Sequence, residues 1–172
     1  RLKCFDDLIG VACCDFIADY GLDRFVRGHA YLTAKHMWIG PASPMNRPGY
    51  HCDGFMTDDI NYVWSDCSST IFNFSRFQLS KDDELSLSEM EQQAEPRLEY
   101  SYPDNALLRL DQFCVHKVRD PAETMLRSFV KLSFSPDRYD LMGNSRNYQL
   151  EYDWPMRARA NVRNIPQELD AA

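Results

Sequence analysis

Residues 127–135 read Arg-Ser-Phe-Val-Lys-Leu-Ser-Phe-Ser, and this stretch indicates the fold class more clearly than any other. Successive side chains of a β-strand point to opposite faces, so these residues fall into two sets. The apolar set consists of Val130, Leu132 and Phe134. The second set carries two cations around an aromatic ring and consists of Arg127, Phe129 and Lys131. The alternation therefore predicts a strand with one core-facing side.

Similar short runs, rich in aromatic and β-branched residues, recur along most of the chain. Clusters of Gly, Pro, Asn and Asp separate them, as in residues 40–44 and 46–49. The candidate strands are 35–39, 49–55, 60–66, 70–74, 106–117, 127–135 and 147–153. Many short strands with such turn signals predict an all-β core of the sandwich or barrel type.

Two segments have helical character and would flank this core. Residues 5–20 place apolar side chains at intervals of three or four positions, after acidic residues that suit a first helical turn. Residues 80–95 start with Ser80 and Asp83 in the pattern of a capping box, which predicts a surface helix between strands. We expect one domain, 1–172, made of the helix 5–20, a β core over 31–153 and a tail over 154–172.

Composition and charge restrict the possible partners and the cellular compartment. Nineteen basic against 26 acidic residues give a formal charge of −7, a balance that disfavours nucleic acid as a partner. No apolar run approaches the roughly 20 residues that a membrane-spanning helix needs, so no membrane partner is expected. The six cysteines include no Cys-x-x-Cys pair, which predicts reduced thiols and a cytoplasmic location.

The main chemical signal lies in residues 47–55, which read Arg-Pro-Gly-Tyr-His-Cys-Asp-Gly-Phe. In an extended strand His51 and Asp53 share one face, about 7 Å apart along the backbone, which suits two ligands of one metal ion. His116 follows 65 residues after His51, at the end of a largely apolar strand face. That predicted face consists of Leu108, Leu110, Gln112, Cys114 and His116. Two imidazoles and a carboxylate can form the facial triad of non-haem Fe(II) oxygenases.

Taken in this order, His51-x-Asp53, the distant His116 and the later Arg127 resemble the Fe(II)- and 2-oxoglutarate-dependent dioxygenase superfamily. The resemblance covers residues 35–135. It implies a double-stranded β-helix, also called a jelly roll, in which His51, Asp53 and His116 bind Fe(II). It also implies 2-oxoglutarate as the cosubstrate.

The same resemblance implies a binding site for the cosubstrate. Arg127 falls where the distal carboxylate of 2-oxoglutarate is usually bound, and Lys131 is the next candidate. Asn61 and Thr70 are further candidates for hydrogen bonds to the cosubstrate. Phe129 departs from the family, which often has a small hydroxyl residue two positions after the arginine.

The activity implied by the resemblance is oxidation of an unactivated C–H bond by molecular oxygen, with hydroxylation as the default outcome. Halogenation is disfavoured, because related halogenases lack the carboxylate that Asp53 supplies here. We expect a small polar metabolite, such as an amino acid or a derivative, as substrate. Candidate pocket residues are Tyr50, Tyr62, Trp64 and Gln112, together with Phe55.

Several alternatives stand beside this interpretation. One alternative is a cupin-like metal enzyme that needs no 2-oxoglutarate. Another is a non-catalytic jelly-roll binding module. Tyr62 and Trp64 share a strand face and suit core packing equally well. Arg127 and Lys131 can belong to a solvated face. His29 and His36 are interpreted as non-ligands.

Overall fold

Strand β7 (Met125–Ser135) lies in the interior of the larger sheet of the computed structural model. It pairs antiparallel with β1 (His29–Ile39) along its whole length and with β2 (Ile60–Ser65) on its other side. β5 (Leu108–Leu110) pairs with the other side of β2. The sheet order is therefore β1-β7-β2-β5. The structure describes residues 5–41, 43, 47–142, 144 and 154–158.

The smaller sheet has β3 (Ile71–Asn73) between β4 (Glu99–Ser101) and β6 (His116–Lys117). His51 forms an isolated antiparallel bridge to His116 and so continues this sheet beyond β6. All pairs of strands in both sheets are antiparallel. The protein is therefore mostly antiparallel β-sheet with a few helices, as the sequence predicts.

The order of pairing follows a simple rule along the chain. β1 pairs with β7, the His51 bridge with β6, β2 with β5, and β3 with β4. The first extended segment thus pairs with the last, the second with the next to last, and so on inward. The strands therefore follow one long antiparallel hairpin that is distributed over two sheets.

Three apolar clusters define the layers of the molecule. Helix α1 (Asp6–Tyr20) packs on the outer face of the larger sheet through Ala12, Phe16, Ile60, Tyr62, Leu132 and Phe134. Helix α3 (Asp83–Gln93) packs behind the smaller sheet through Met90, Tyr50, Cys52 and Val115. The third cluster includes Val63, Phe72, Leu110, Cys114 and Phe129 and lies between the two sheets. The larger sheet is thus covered on both faces, by α1 outside and by the smaller sheet inside. Arg127 and Lys131 therefore lie between the sheets and not on a solvated face.

Both predicted helices are present, but their details differ from the prediction. α1 matches the predicted helix, whereas α2 (Leu22–Arg27) was not predicted. Asp82, not Ser80, caps α3: its side chain accepts hydrogen bonds from the backbone N–H groups of Glu84 and Leu85. α3 is only partly a surface helix, because Met90 is completely buried. Among the described residues, no helix combines the length and apolarity required to cross a membrane.

The predicted strand 106–117 is wrong, because the chain turns in its middle. β5 ends at Leu110, and the Asp111 carboxylate then accepts a hydrogen bond from the backbone N–H of Phe113. The Asp111 carbonyl accepts another from Cys114, and the chain crosses to β6 in the other sheet. Gln112 therefore lies in a turn and shares no strand face with His116.

Other predicted strands also need correction. Residues 49–55 form only the His51 bridge, followed by a turn from Asp53, instead of a full strand. β1 begins six residues before the predicted 35–39, and β4 (Glu99–Ser101) was not predicted. The predicted strand 147–153 lies outside the described residues.

Candidate metal centre

His51, Asp53 and His116 converge, as the sequence predicts. Their ligand atoms all lie within 4.8 Å of one another. Nε2 of His116 is 3.8 Å from Oδ2 of Asp53, and the two imidazole rings have centroids 4.6 Å apart. Reciprocal backbone hydrogen bonds of 2.9 Å hold His51 and His116 directly opposite each other on adjacent antiparallel segments. Residues far apart in the sequence thus present three donor atoms to one point.

Backbone carbonyls fix the orientation of both imidazoles. Nδ1 of His51 lies 3.0 Å from the carbonyl oxygen of Gly49, and Nδ1 of His116 lies 2.8 Å from that of Cys114. A carbonyl can only accept, so each Nδ1 carries the hydrogen and each neutral ring keeps its lone pair on Nε2. This second hydrogen bond is typical of metal-binding histidines, because it fixes tautomer and ring direction.

The protonation states also fit a divalent cation. Burial, followed by the nearby His116, lowers the pKa of His51 to about 4. Burial likewise lowers the pKa of His116, although Asp53 opposes this shift. Burial alone would raise the pKa of Asp53, but Lys131 and His116 outweigh it and lower that pKa. At neutral pH the site therefore offers two neutral imidazoles and one carboxylate, and metal ligands must be deprotonated in this way.

The turn after Asp53 depends on Gly54. Gly54 has φ +71°, and a Cβ at this position would lie 2.8 Å from Cβ of Asp59. Only glycine adopts this conformation at little cost and leaves room for Asp59. The hydroxyl and backbone N–H of Thr57 both donate to the Gly54 carbonyl, at 2.7 and 2.9 Å. The sequence Asp-Gly therefore sets the position of the carboxylate.

Two polar residues of the larger sheet support this turn from inside. Asn61 is only 1% exposed, and its side-chain N–H donates to the backbone carbonyl of Asp53 at 3.4 Å. The Asn61 side-chain oxygen accepts a hydrogen bond of 2.6 Å from the Ser133 hydroxyl. Both residues are buried partners across paired strands β2 and β7. Asn61, predicted as a cosubstrate ligand, thus contacts the backbone of a metal-ligand candidate.

Of the two predicted anion-binding cations, only Lys131 forms an ion pair with the triad. Its ammonium nitrogen lies 2.8 Å from Oδ2 of Asp53. Arg127 is 3% exposed and lies four residues earlier on the same strand face, where its Nε donates to the carbonyl of Cys67 at 3.1 Å. Burial lowers the pKa of Lys35, and the charges of Arg127 and Lys131 lower it further. Three cations therefore lie near one another on the inner face of the larger sheet.

The predicted pocket residues lie at several places around the core. Tyr50 faces α3, and its hydroxyl donates to Glu99. Tyr62 packs against α1, and its hydroxyl donates to Asp15 at 2.6 Å. Trp64 shares the strand face of Tyr62, which points away from the triad.

The remaining candidates lie in loops or turns. Thr70 precedes β3 and lines a small surface recess with Ser69 and Phe129, and Gln112 lies in the turn after β5. Residues 53–57, called here the ligand turn, contain Phe55, which follows Gly54 and packs against the α3 cluster. His36, interpreted as a non-ligand, contacts the Ser128 hydroxyl at 3.0 Å on the outer sheet face. Among the described residues, none of the predicted pocket aromatics forms a ring contact or a side-chain hydrogen bond with His51, Asp53 or His116.

Two residues next to the site were not predicted. The ring of Phe72 lies 5.8 Å from that of His116, because the two residues pair across β3 and β6. Ser133 reaches the site through Asn61. Phe72 could not be found from local sequence, since its place depends on the pairing of distant strands. Ser133 was detectable, because it shares the alternation of Arg127 and Lys131.

Comparison with known proteins adds no relative to this description. No protein-family model matches the chain, and no curated protein or solved structure matches it significantly. The functional argument therefore depends on the sequence pattern and on the geometry of the site.

Proposed function

We propose that this protein is a mononuclear iron enzyme, specifically an Fe(II)- and 2-oxoglutarate-dependent oxygenase. The observation that carries the proposal is the convergence of His51, Asp53 and His116 with donor atoms within 4.8 Å. Two imidazoles and one carboxylate on one side of an ion are typical of non-haem Fe(II) oxygenases.

We also propose that the fold is a jelly roll. The support is the pairing of the first extended segment with the last and of each following segment with its counterpart from the other end. A jelly roll is a double-sheet structure of eight strands, and the His51 bridge stands for the second of them. The metal ligands then lie on the second and seventh segments, which are neighbours.

The cations on the inner sheet face favour a dianionic cosubstrate. Lys131 is in direct contact with the triad, while Arg127 and Lys35 add positive charge beside it. A carboxylate of 2-oxoglutarate would bind here through charge-assisted hydrogen bonds. Lys131 lies closer to the triad and is the better-placed residue to bind the cosubstrate carboxylate. Arg127 is the residue that the family resemblance implies for this role.

The chain's residues would position the reactants and limit water. His51, Asp53 and His116 would hold Fe(II), which supplies the oxygen-activating chemistry needed to hydroxylate a C–H bond. The Gly49 and Cys114 carbonyls orient the imidazoles, and Asn61 fixes the ligand turn. The apolar residues Val63, Phe72 and Leu110 fill the space between the sheets and exclude water from that side. We propose a small polar metabolite, such as an amino acid, as the substrate.

The proposal is tested first by metal binding and then by turnover. Anaerobic titration with Fe(II) should show one site per chain, and His51→Ala, Asp53→Ala and His116→Ala should each lower the affinity at least about 10-fold. His36→Ala is the matched control, because His36 lies on the outer sheet face. Equal affinity in all four variants would exclude the triad.

A screen of amino acids and related metabolites with Fe(II), 2-oxoglutarate and oxygen should then identify a substrate that stimulates succinate formation. Metal binding together with substrate oxidation that is independent of 2-oxoglutarate would favour the cupin-like alternative. Metal binding without any turnover in the screen would favour the non-catalytic binding module.

A further inference from the structure

A second carboxylate lies beside the ligand turn, and the metal centre does not use it. Asp59 is 5% exposed, and its Oδ2 accepts a hydrogen bond of 2.6 Å from the Tyr139 hydroxyl. Its other oxygen, Oδ1, is buried and has no hydrogen-bond partner. Among the described residues, no Lys or Arg forms an ion pair with Asp59. Since buried polar atoms in proteins are nearly always paired, this oxygen indicates a missing donor.

The partner of Asp59 is held in one place by a second tyrosine. The rings of Tyr31 and Tyr139 are stacked, with centroids 3.9 Å apart and planes 6° from parallel. The Tyr31 hydroxyl accepts from the backbone N–H of Tyr139 at 2.8 Å and donates to the Asp137 carbonyl at 3.1 Å. The Tyr139 hydroxyl is therefore held at the Asp59 carboxylate by a ring that is stacked on Tyr31.

This group of residues adjoins the metal centre. Asp59 packs under Gly54, the residue after Asp53, at a distance that excludes any Cβ there. Asp59 directly precedes β2 and lies two positions before Asn61, whose side chain contacts the backbone of Asp53. Burial raises the pKa of Tyr139, and the charges of Asp59 and, more weakly, Asp53 contribute. The Tyr139 hydroxyl is thus within electrostatic reach of the triad carboxylate.

We propose that Asp59, with the stacked pair Tyr31 and Tyr139, binds the ammonium group of an amine-bearing small-molecule substrate. The inference rests on the proposed oxygenase function, because it places this group next to the metal at which the substrate would react. The Asp59 carboxylate supplies a charge-assisted acceptor, and the tyrosine rings supply faces for a cation–π contact. Asp53 is less suited to this purpose, because its Oδ2 already pairs with Lys131 and its carboxylate belongs to the proposed metal-binding triad.

The chemistry of the site distinguishes an ammonium group from other ligands. A carboxylate or phosphate would be repelled by Asp59, and a neutral hydroxyl would leave the buried negative charge without a counter-ion. A primary ammonium has three donors on a compact charge. It can therefore satisfy Oδ1 and still contact an aromatic face. An amino acid or an amine offers this group.

The test uses butylammonium chloride as the probe and the neutral 1-butanol as its isostere. Each is titrated by NMR into the full chain, both without metal and loaded with redox-inert Zn(II). We expect butylammonium to bind at least 10-fold more tightly than 1-butanol, and Asp59→Asn to weaken butylammonium binding at least 10-fold. Asp58→Asn is the matched control, because Asp58 is the exposed neighbour, and it should bind like the parent chain.

A second variant separates charge from packing. Tyr139→Phe keeps the Asp59 carboxylate and both ring faces, so it should retain butylammonium binding within about threefold. Equal binding of butylammonium to the parent chain and Asp59→Asn, or equal binding of the probe and 1-butanol, would overturn the proposal. Zn(II) affinity is measured on the same samples and should not change in Asp59→Asn. If the parent chain does not bind Zn(II), the proposed function is contradicted. This outcome is distinct from a failure of butylammonium binding, which contradicts only the ammonium site.

Discussion

The Nζ atom of Lys131 lies 2.8 Å from Oδ2 of Asp53, the same carboxylate oxygen that faces Nε2 of His116 at 3.8 Å. An interior strand of the larger sheet therefore places a positive charge directly on the triad. A divalent cation that binds Asp53 must compete with this ammonium, since two cations about 4 Å apart repel by roughly 4 kcal/mol per unit charge in a partly buried site.

Lys131→Met should raise the affinity for Mn(II) or Zn(II) by about 10-fold, because it removes the competing charge and keeps the apolar stem. Isothermal titration of the metal-free chain measures the effect. Lys117→Met is the control, because Lys117 pairs with Glu99 and not with a ligand of the triad. A fall in metal affinity in Lys131→Met would mean that the ammonium holds Asp53 in its binding position.

Arg127→Ala should weaken 2-oxoglutarate binding while the metal stays bound, if Arg127 is the anchor that the resemblance implies. The measurement is a 2-oxoglutarate titration of Zn(II)-loaded protein, followed by ligand NMR. Because Arg127 is buried and bonded to Cys67, its removal should also lower the free energy of unfolding, by about 1–3 kcal/mol. Unchanged affinity in Arg127→Ala, with a loss in Lys131→Met, would assign the anchor to Lys131.

Gly54→Ala should destabilise the fold by about 2 kcal/mol or more and weaken metal binding, since the added Cβ meets Asp59 and the residue must keep a positive φ. Urea unfolding with a parallel Zn(II) titration measures both effects. Gly10→Ala is the control, because a Cβ there meets no other atom within 4 Å. It should stabilise α1 by about 0.5–1 kcal/mol. Similar behaviour of the two variants would contradict the role given to Gly54.

Asn61→Ala and Ser133→Ala test the support of the ligand turn. Each should cost about 1–3 kcal/mol, because each leaves a buried polar partner unsatisfied. The double variant should cost less than the sum of the two single changes, since their direct hydrogen bond of 2.6 Å is lost in either. Urea unfolding of all three variants gives this coupling, and strict additivity would count against the contact.

Acid should weaken the docking of α1 on the larger sheet. The hydrogen bond from Tyr62 and the charge of Arg109 lower the pKa of Asp15 against a smaller opposing effect of burial. A carboxyl whose pKa is depressed on folding stabilises the fold above its unfolded pKa of about 3.9. This stability is lost as the pH falls from there through the folded pKa.

Urea unfolding between pH 6 and pH 2.5, compared with Asp15→Asn, measures this loss. The variant should be less stable near neutral pH and should show a shallower loss of stability in acid. The exposed Asp7→Asn is the control and should follow the parent chain. Parallel pH profiles of the parent chain and Asp15→Asn would contradict the prediction.

The sequence was most informative where a local pattern and a buried face coincide. The alternation in residues 127–135 identified β7, and the helical spacing of residues 5–20 identified α1. The candidate ligands His51, Asp53 and His116 were predictable from their order in the chain, a His-x-Asp pair followed by a distant histidine, although residues 49–55 form a bridge and a turn instead of the predicted strand.

Other features depend on contacts that a single segment does not contain. The break after Leu110 follows from the Asp111 side chain, which closes a turn within a run that otherwise has strand character. The orientation of Tyr62 toward α1 depends on which face of the sheet the helix covers. Lys131 and Arg127 are equivalent in the strand pattern, and only the position of Asp53 in the folded chain distinguishes them.

The nested pairing of strands also determines when the candidate metal centre can form. The His51–His116 contact closes a long loop, and the β1–β7 ladder joins segments even farther apart in the chain. Such a high contact order slows folding, because chain entropy is lost before these contacts form. The denatured chain therefore lacks the assembled chelate. An ion that binds only the native state would shift the folding equilibrium by mass action, so metal supply would control how much folded protein persists.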